Sequence, residues 1–239
     1  KPTSITQAYS AQFNNQGDKF IISDSKGILV VYLSANRYAY ILKDSKPTKC
    51  LAFTASDEVL LSQHTTMSIH TLNGKVEAEM KGHKLPISRF EINTMHNFIM
   101  SQSSDLINLW SAANHQRMRS IYAHNSSFMD AKFTPDGAML VTLFKDSAVY
   151  FWNLSSFETD HKISTIEKEL MLNCFDLSWN MKYLVASGQT SYVLVFELER
   201  YFSEGHIHWW VFRLPDGFKT VKKVKFLGDS TWVAILSEG

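Results

Sequence analysis

Apolar and polar residues alternate over short runs bounded by turn residues, the pattern of half-buried β-strands, and no stretch holds a helical period for long. The residues from 128 onward show the unit most clearly. Phe128-Met129-Asp130-Ala131-Lys132-Phe133 predicts one strand, Thr134-Pro135-Asp136-Gly137 turns it, and Ala138-Met139-Leu140-Val141-Thr142-Leu143 predicts the second. Pro presets the backbone angle that opens such a turn, and Gly accepts the positive φ that closes it. A third strand, Ala148-Val149-Tyr150-Phe151-Trp152, follows Lys145-Asp146-Ser147, and Glu158 to Ile163 predicts a more polar fourth. Matching turns are predicted at Asn14-Asn15-Gln16-Gly17-Asp18, Ser25-Lys26-Gly27, Asn73-Gly74 and Pro215-Asp216-Gly217.

The unit recurs, and two independent landmarks measure its period. The apolar residue closing the first strand falls at Phe13, Phe53, Ile92, Phe133, Leu177 and Phe226, in steps of 40, 39, 41, 44 and 49. A ring-bearing residue ends the third strand at Tyr32, His70, Trp110, Trp152 and Phe196, in steps of 38, 40, 42 and 44. Four strands in about 40–45 residues make one propeller blade. Blades are predicted near residues 4–42, 48–80, 85–121, 126–163, 170–214 and 219–239, within a single domain spanning 1–239.

Two blades also carry a polar block: Gly82-His83, Ser101, Asp105 and Trp110, then Ala123-His124, Thr142, Asp146 and Trp152. A hydroxyl, an imidazole and a carboxylate together allow a catalytic-triad reading. An active site is needed once, however, whereas this set repeats in consecutive blades and each time ends in an indole able to donate a hydrogen bond. The block resembles that of WD40 repeats, in which the same four residues tie the loop before a blade to its second and third strands. The expected fold is therefore an all-β WD40 propeller of four-stranded antiparallel blades, and the block is expected to be structural, so that Asp146→Ala lowers the melting temperature without loss of partner binding.

Composition narrows the function classes. With 24 basic and 23 acidic side chains the net charge is +1, which leaves no broad field to attract nucleic acid or anionic lipid. No apolar run is long enough to cross a bilayer and no signal peptide is visible. Cys50 and Cys174 lie on predicted inner strands and read as buried thiols in a reducing, cytoplasmic compartment. A phosphate-binding glycine loop, a nucleophile elbow, His-Glu-x-x-His and Cys-x-x-Cys are all absent from the sequence, so neither catalysis nor a cofactor is expected. His206-x-His208 puts two rings on one strand face but lacks a third ligand nearby, and an outer strand with incidental histidines is the simpler reading. Lys219, Lys222, Lys223 and Lys225 alternate with Val221, Val224 and Phe226 as a strand with one solvated face.

What remains for binding is the rim. Positions four and six before each strand-closing landmark ring the central channel, and they include Tyr9, Lys49, Pro86, Ser88, Ser127, Met129, Met171, Asn173 and Lys222, with Gln7, Pro47 and Thr220. Their mixed chemistry fits protein or peptide recognition rather than a small-molecule substrate; each position is either a contact or a solvated rim residue. Glu199 to Trp210 lengthens the fifth unit, and its Tyr201, Phe202 and Trp209 either anchor a partner or fold back over an edge strand. About five and a half blades are expected, fewer than the usual seven-bladed ring, so the natural protein is expected to continue beyond Gly239.

Specific strings are similar to the N-terminal propeller of the TBC1 domain family member 31 proteins, also called WD-repeat protein 67. They are Glu79-Met80-Lys81-Gly82-His83, Ser103-Ser104-Asp105 through Leu109-Trp110 and Gln116-Arg117-Met118-Arg119, Phe144-Lys145-Asp146 through Phe151-Trp152, and Val233-Ala234-Ile235-Leu236-Ser237. The resemblance implies the N-terminal interaction scaffold of a larger protein with a downstream TBC domain, a class associated with GTPase-activating activity toward Rab proteins. It also implies placement at centrosomes, centriolar satellites or the ciliary base, with proteins there as partners. A generic WD40 adaptor for ubiquitin-ligase or trafficking complexes is the alternative. No catalytic residue carries over to this chain, and no Trp is followed by Asp: the pairs are Trp110-Ser111 and Trp152-Asn153.

Overall fold

The computed structural model describes residues 7–48, 50–164, 171–228 and 232–238. Five four-stranded antiparallel sheets follow one another, each in sequential strand order, and a two-stranded sheet comes last. β1 (Ala8–Phe13), β2 (Lys19–Asp24), β3 (Gly27–Tyr32) and β4 (Arg37–Lys43) form the first. β5 (Leu51–Phe53), β6 (Val59–Gln63), β7 (Thr66–His70) and β8 (Val76–Lys81) form the second. The third comprises β9 (Arg89–Asn93), β10 (Phe98–Gln102), β11 (Leu106–Ser111) and β12 (Arg117–Tyr122). β13 (Phe128–Phe133), β14 (Met139–Phe144), β15 (Ala148–Asn153) and β16 (Thr159–Ser164) make the fourth. β17 (Leu172–Leu177), β18 (Tyr183–Gly188), β19 (Tyr192–Glu197) and β20 (His208–Arg213) make the fifth, with helix α1 (Leu198–Glu204) between its last two strands. β21 (Thr220–Leu227) pairs with β22 (Trp232–Glu238). These are all-β, antiparallel blades of the kind found in WD40 propellers.

The chain divides into two compact units, residues 1–122 and 123–239. Inside each, neighbouring blades pack face to face, which is why the second strands read as apolar runs rather than strict alternations. On β6, Val59 and Leu61 join Ile21, Ile28 and Val30 of the first blade, while Leu60 between them joins Ile99 and Trp110 of the third. Successive side chains of a strand point to opposite faces, so a strand sandwiched between two blades needs an apolar residue at every position. In the second unit, Leu184 and Ala186 of β18 pack with Val141 and Phe151 of the fourth blade, and Val185 packs with Val221 and Val224 of β21.

A repeated side-chain cap closes the first hairpin of every complete blade. The residue just after the apolar landmark accepts a hydrogen bond from a backbone N–H across the turn: Asn14 from Lys19 at 3.0 Å, Thr54 from Glu58 at 3.1 Å, Thr134 from Met139 at 3.0 Å and Ser178 from Tyr183 at 2.8 Å. In the third blade Asn93 instead accepts from Met95 and His96 within the turn, both at 3.1 Å. Short polar side chains suit this role because they mimic a backbone carbonyl within the turn.

Candidate functional site

The polar block of the third blade converges as a chain of hydrogen bonds. Trp110 Nε1–H donates to Ser101 Oγ at 2.8 Å, and Ser101 Oγ lies 2.7 Å from His83 Nε2. His83 Nδ1 lies 2.9 Å from Ser103 Oγ, which donates to Asp105 Oδ1 at 2.7 Å. One proton arrangement satisfies all four contacts: a neutral imidazole protonated on Nδ1, accepting from Ser101 at Nε2. Burial drives the same state, pushing the His83 pKa from 6.5 down to about 4, with Asp105 opposing the shift and Arg117 adding to it. Ser103, absent from the expected set, stands between the imidazole and the carboxylate. With Ser101 fully buried and both ring nitrogens engaged, the hydroxyl has no approach for a substrate.

The fourth blade departs from that arrangement. Trp152 Nε1–H donates to Thr142 Oγ1 at 2.9 Å, as its counterpart does, but His124 is exposed. Asp146 is exposed too and accepts from the backbone N–H of Ala148 at 3.2 Å, a turn contact. Behind both blades lies a wider regularity. Ser23, Ser62, Ser101, Thr142 and Ser187 are all buried hydroxyls at one position of the second strand, in steps of 39, 39, 41 and 45. Ser23 Oγ accepts from Thr48 N at 2.9 Å, and Ser187 Oγ donates to Tyr192 O at 2.6 Å. The column was present in the sequence at the blade period; without histidine and tryptophan beside them, three of its members looked like ordinary strand polar residues.

The candidate binding positions divide by burial. Tyr9, Pro86, Ser88, Met171 and Lys222 are exposed, whereas Ser127, Met129 and Asn173 are half-buried. Met129 packs against the core shared by the fourth and fifth blades, and Asn173 Oδ1 is buried with no hydrogen-bond partner among the described residues. Lys49 lies outside the described residues. In the first unit, Pro86 belongs to an open groove of about 910 Å³ lined by residues of 45–48 and 86–87 together with Cys50, Ser62, Gln63 and His64.

The insertion of the fifth blade is turned inward. Tyr201 Oη donates to Lys162 O at 2.8 Å and accepts from Lys162 N at 3.2 Å, capping the outer strand β16. Phe202 meets the Phe151 ring edge-on at 5.4 Å, and Trp209 stacks on Phe196 at 6.5 Å. The exposed aromatics of β20 are instead Trp210 and Phe212. His206 and His208 are exposed, and no group of three metal-ligating side chains occurs among the described residues. Cys174 is buried, which pushes its thiol up to about 11, while Cys50 is half-buried rather than buried as expected. Among the described residues no helix is long and apolar enough to cross a membrane.

No family model matches the chain. The chain is similar to "TBC1 domain family member 31" of Mus musculus, at 21% identity over 234 residues, covering 95% of this chain and 23% of the relative. The protein of that name from Oryzias latipes is 22% identical over 226 residues, covering 91% of this chain and 21% of its own length. A "Periodic tryptophan protein 2 homolog" of Mus musculus is 27% identical over 140 residues, 52% of this chain and 15% of the relative. The chain thus spans about a fifth of the length of the first of these curated relatives.

Proposed function

We propose, from its similarity to TBC1 domain family member 31 along nearly its whole length, that this chain is a non-catalytic interaction scaffold. In this reading residues 1–239 act as one WD40 domain, part of a seven-bladed ring, in a larger cytoplasmic protein of centrosomes, centriolar satellites or the ciliary base. A TBC domain elsewhere in that protein, with GTPase-activating activity toward Rab proteins, belongs to the same proposal. The observation that carries it is the coverage: 95% of the chain aligns with a relative whose printed name announces a TBC domain, and the alignment occupies only 23% of that relative. The sealed His83–Ser101 pair supports a non-catalytic role, because the chain's most triad-like constellation is spent on packing. Strands committed to blade packing leave the loops and strand ends for protein partners.

The test is to tag the full-length protein in a ciliated cell, image it beside a centriole marker and recover proximal partners by labelling. Concentration at centrioles that is lost on deletion of residues 1–239 is the expected result. A diffuse or vesicular pattern discards the centrosomal reading. It favours a generic WD40 adaptor of ubiquitin-ligase or trafficking complexes.

A further inference from the structure

The groove of the first unit has an origin that can be traced through the repeat. His83 stands 18 residues before Ser101 and covers its hydroxyl with an imidazole. The position equally far before Ser62 is Asp44, an exposed carboxylate in place of the imidazole, and Ser62 lines the groove. The walls are held from behind. Thr48 N–H donates to the buried Ser23 Oγ at 2.9 Å, and Thr48 Oγ1 donates to Ser62 O. Ile87 N–H donates to His64 O at 2.7 Å, and Cys50 Sγ lies 3.2 Å from Ser88 O. Pro47 and Pro86 stand at the mouth with their φ angles fixed by their rings.

The charge of this groove is one-sided. Among the described residues Lys46 is the charged side chain lining it, with the imidazole of His64 beside it; no carboxylate lines it, and Lys46 forms no ion pair. Lys43, Asp44 and Lys84, near the lining in sequence, are exposed and stand outside it, two cations against one carboxylate. In a chain of net charge +1 there is no broad field to draw in a partner, so any attraction here comes from these side chains at short range. Pro47, Pro86 and Ile87 supply apolar contact beside Lys46 and His64. Nucleic acid is disfavoured as the occupant, because Phe, Tyr and Trp, the side chains on which bases stack, are absent from the lining.

We propose that this groove binds an acidic linear peptide, with Lys46 pairing one carboxylate, an imidazole N–H of His64 donating to another and the Pro47–Pro86–Ile87 surface taking an intervening apolar side chain. The proposal rests on the interaction-scaffold reading and gives it a partner chemistry. Because the walls are already hydrogen-bonded in place, binding orders the peptide and not the protein, which lowers the entropic cost of association.

The test is fluorescence polarisation of the 239-residue chain with fluorescein-labelled dodecapeptides of alternating Glu and Leu, Gln and Leu, or Lys and Leu, and with an oligo-dT of similar length. The Glu–Leu peptide is expected to bind at least about tenfold more tightly than the Gln–Leu peptide, with affinity falling as salt rises. Lys46→Glu and His64→Glu, both at exposed positions, are each expected to weaken it about five- to tenfold while Lys145→Glu, exposed in the other unit, changes nothing. Equal binding of the Glu and Gln peptides overturns the proposal. So does absence of Glu–Leu binding up to about 1 mM, tighter binding of oligo-dT, or indifference to both groove substitutions. Proximity labelling with the Lys46→Glu/His64→Glu variant separates the two levels: full retention of partners discards the groove and leaves the scaffold, whereas a wild-type chain that recruits no partner discards the scaffold itself.

Discussion

His83 Nε2 lies 2.7 Å from Ser101 Oγ, and through that contact the loop before the third blade is held to strand β10. The same oxygen accepts from Trp110 Nε1, so a single buried hydroxyl joins the loop, the second strand and the third. Ser101→Ala strands two buried polar groups at once, which costs about 3 kcal/mol of unfolding free energy. Asp146→Ala removes one exposed turn contact and costs less than about 1 kcal/mol. Urea unfolding of the two variants measures the contrast; equal losses would contradict the buried-network account.

His83 also sets a pH dependence. Its folded pKa of about 4 lies below the ordinary 6.5, so between these values the unfolded chain takes up a proton that the folded chain refuses. The stability contributed by keeping His83 neutral is complete above pH 6.5 and declines as pH falls toward 4, by about 3 kcal/mol in all. Urea midpoints between pH 7.5 and 4 should show this loss, and His83→Gln, which cannot titrate, should flatten it. Asp57 and Asp18 act at lower pH. The hydrogen bond from Lys19 lowers the pKa of Asp57, and that from Asn14 lowers Asp18, so their contributions are present above the ordinary carboxylate range and are lost as pH falls through their depressed values.

Gly27 opens β3 at φ 134°, and a Cβ there would overlap the Leu42 carbonyl oxygen of β4. Both the backbone region and the space exclude a side chain, so Gly27→Ala should cost at least about 2 kcal/mol. Gly17→Ala, at φ 70° in open space, should cost about 1 kcal/mol. A thermal melt of each variant distinguishes the two; similar shifts would show that the strand contact with Leu42 is not the limiting factor.

The helix between the last strands of the fifth blade seals a sheet edge. Phe202→Ala removes a half-buried ring from Phe151 and His161 and should cost about 2 kcal/mol, and Tyr201→Phe, which loses the bonds to Lys162, about 1 kcal/mol. Amide exchange at Lys162 is the direct readout. It should speed up in Tyr201→Phe, and unchanged protection would mean that the edge is sealed by something other than this hydroxyl.

Much of the fold was legible because it is local. The strand from Phe128 to Phe133 and its turn at Pro135-Asp136-Gly137 follow from alternation and turn chemistry, and the structure places β13 and β14 there to within a residue. The candidate sites were less legible. Matched spacing in two blades predicted two equal networks, yet spacing says nothing about whether a loop carries its histidine inward. His83 is buried between blades and His124 is exposed. Tyr201 and Phe202 had two readings in sequence, partner anchor or edge cover, and only the position of β16 beside them decides for cover.

By itself, then, the sequence determined the all-β class, the blade period, the hairpin turns and the resemblance to TBC1 domain family member 31, since each is written in short-range patterns that repeat. Tertiary structure alone decided that Ser103 stands between His83 and Asp105, that the insertion faces inward, and that the second blade has a groove where the third has an imidazole. The reason is physical. Alternation and turn residues act within a few bonds of the backbone, whereas the direction of a loop side chain is settled by what the neighbouring blade leaves room for.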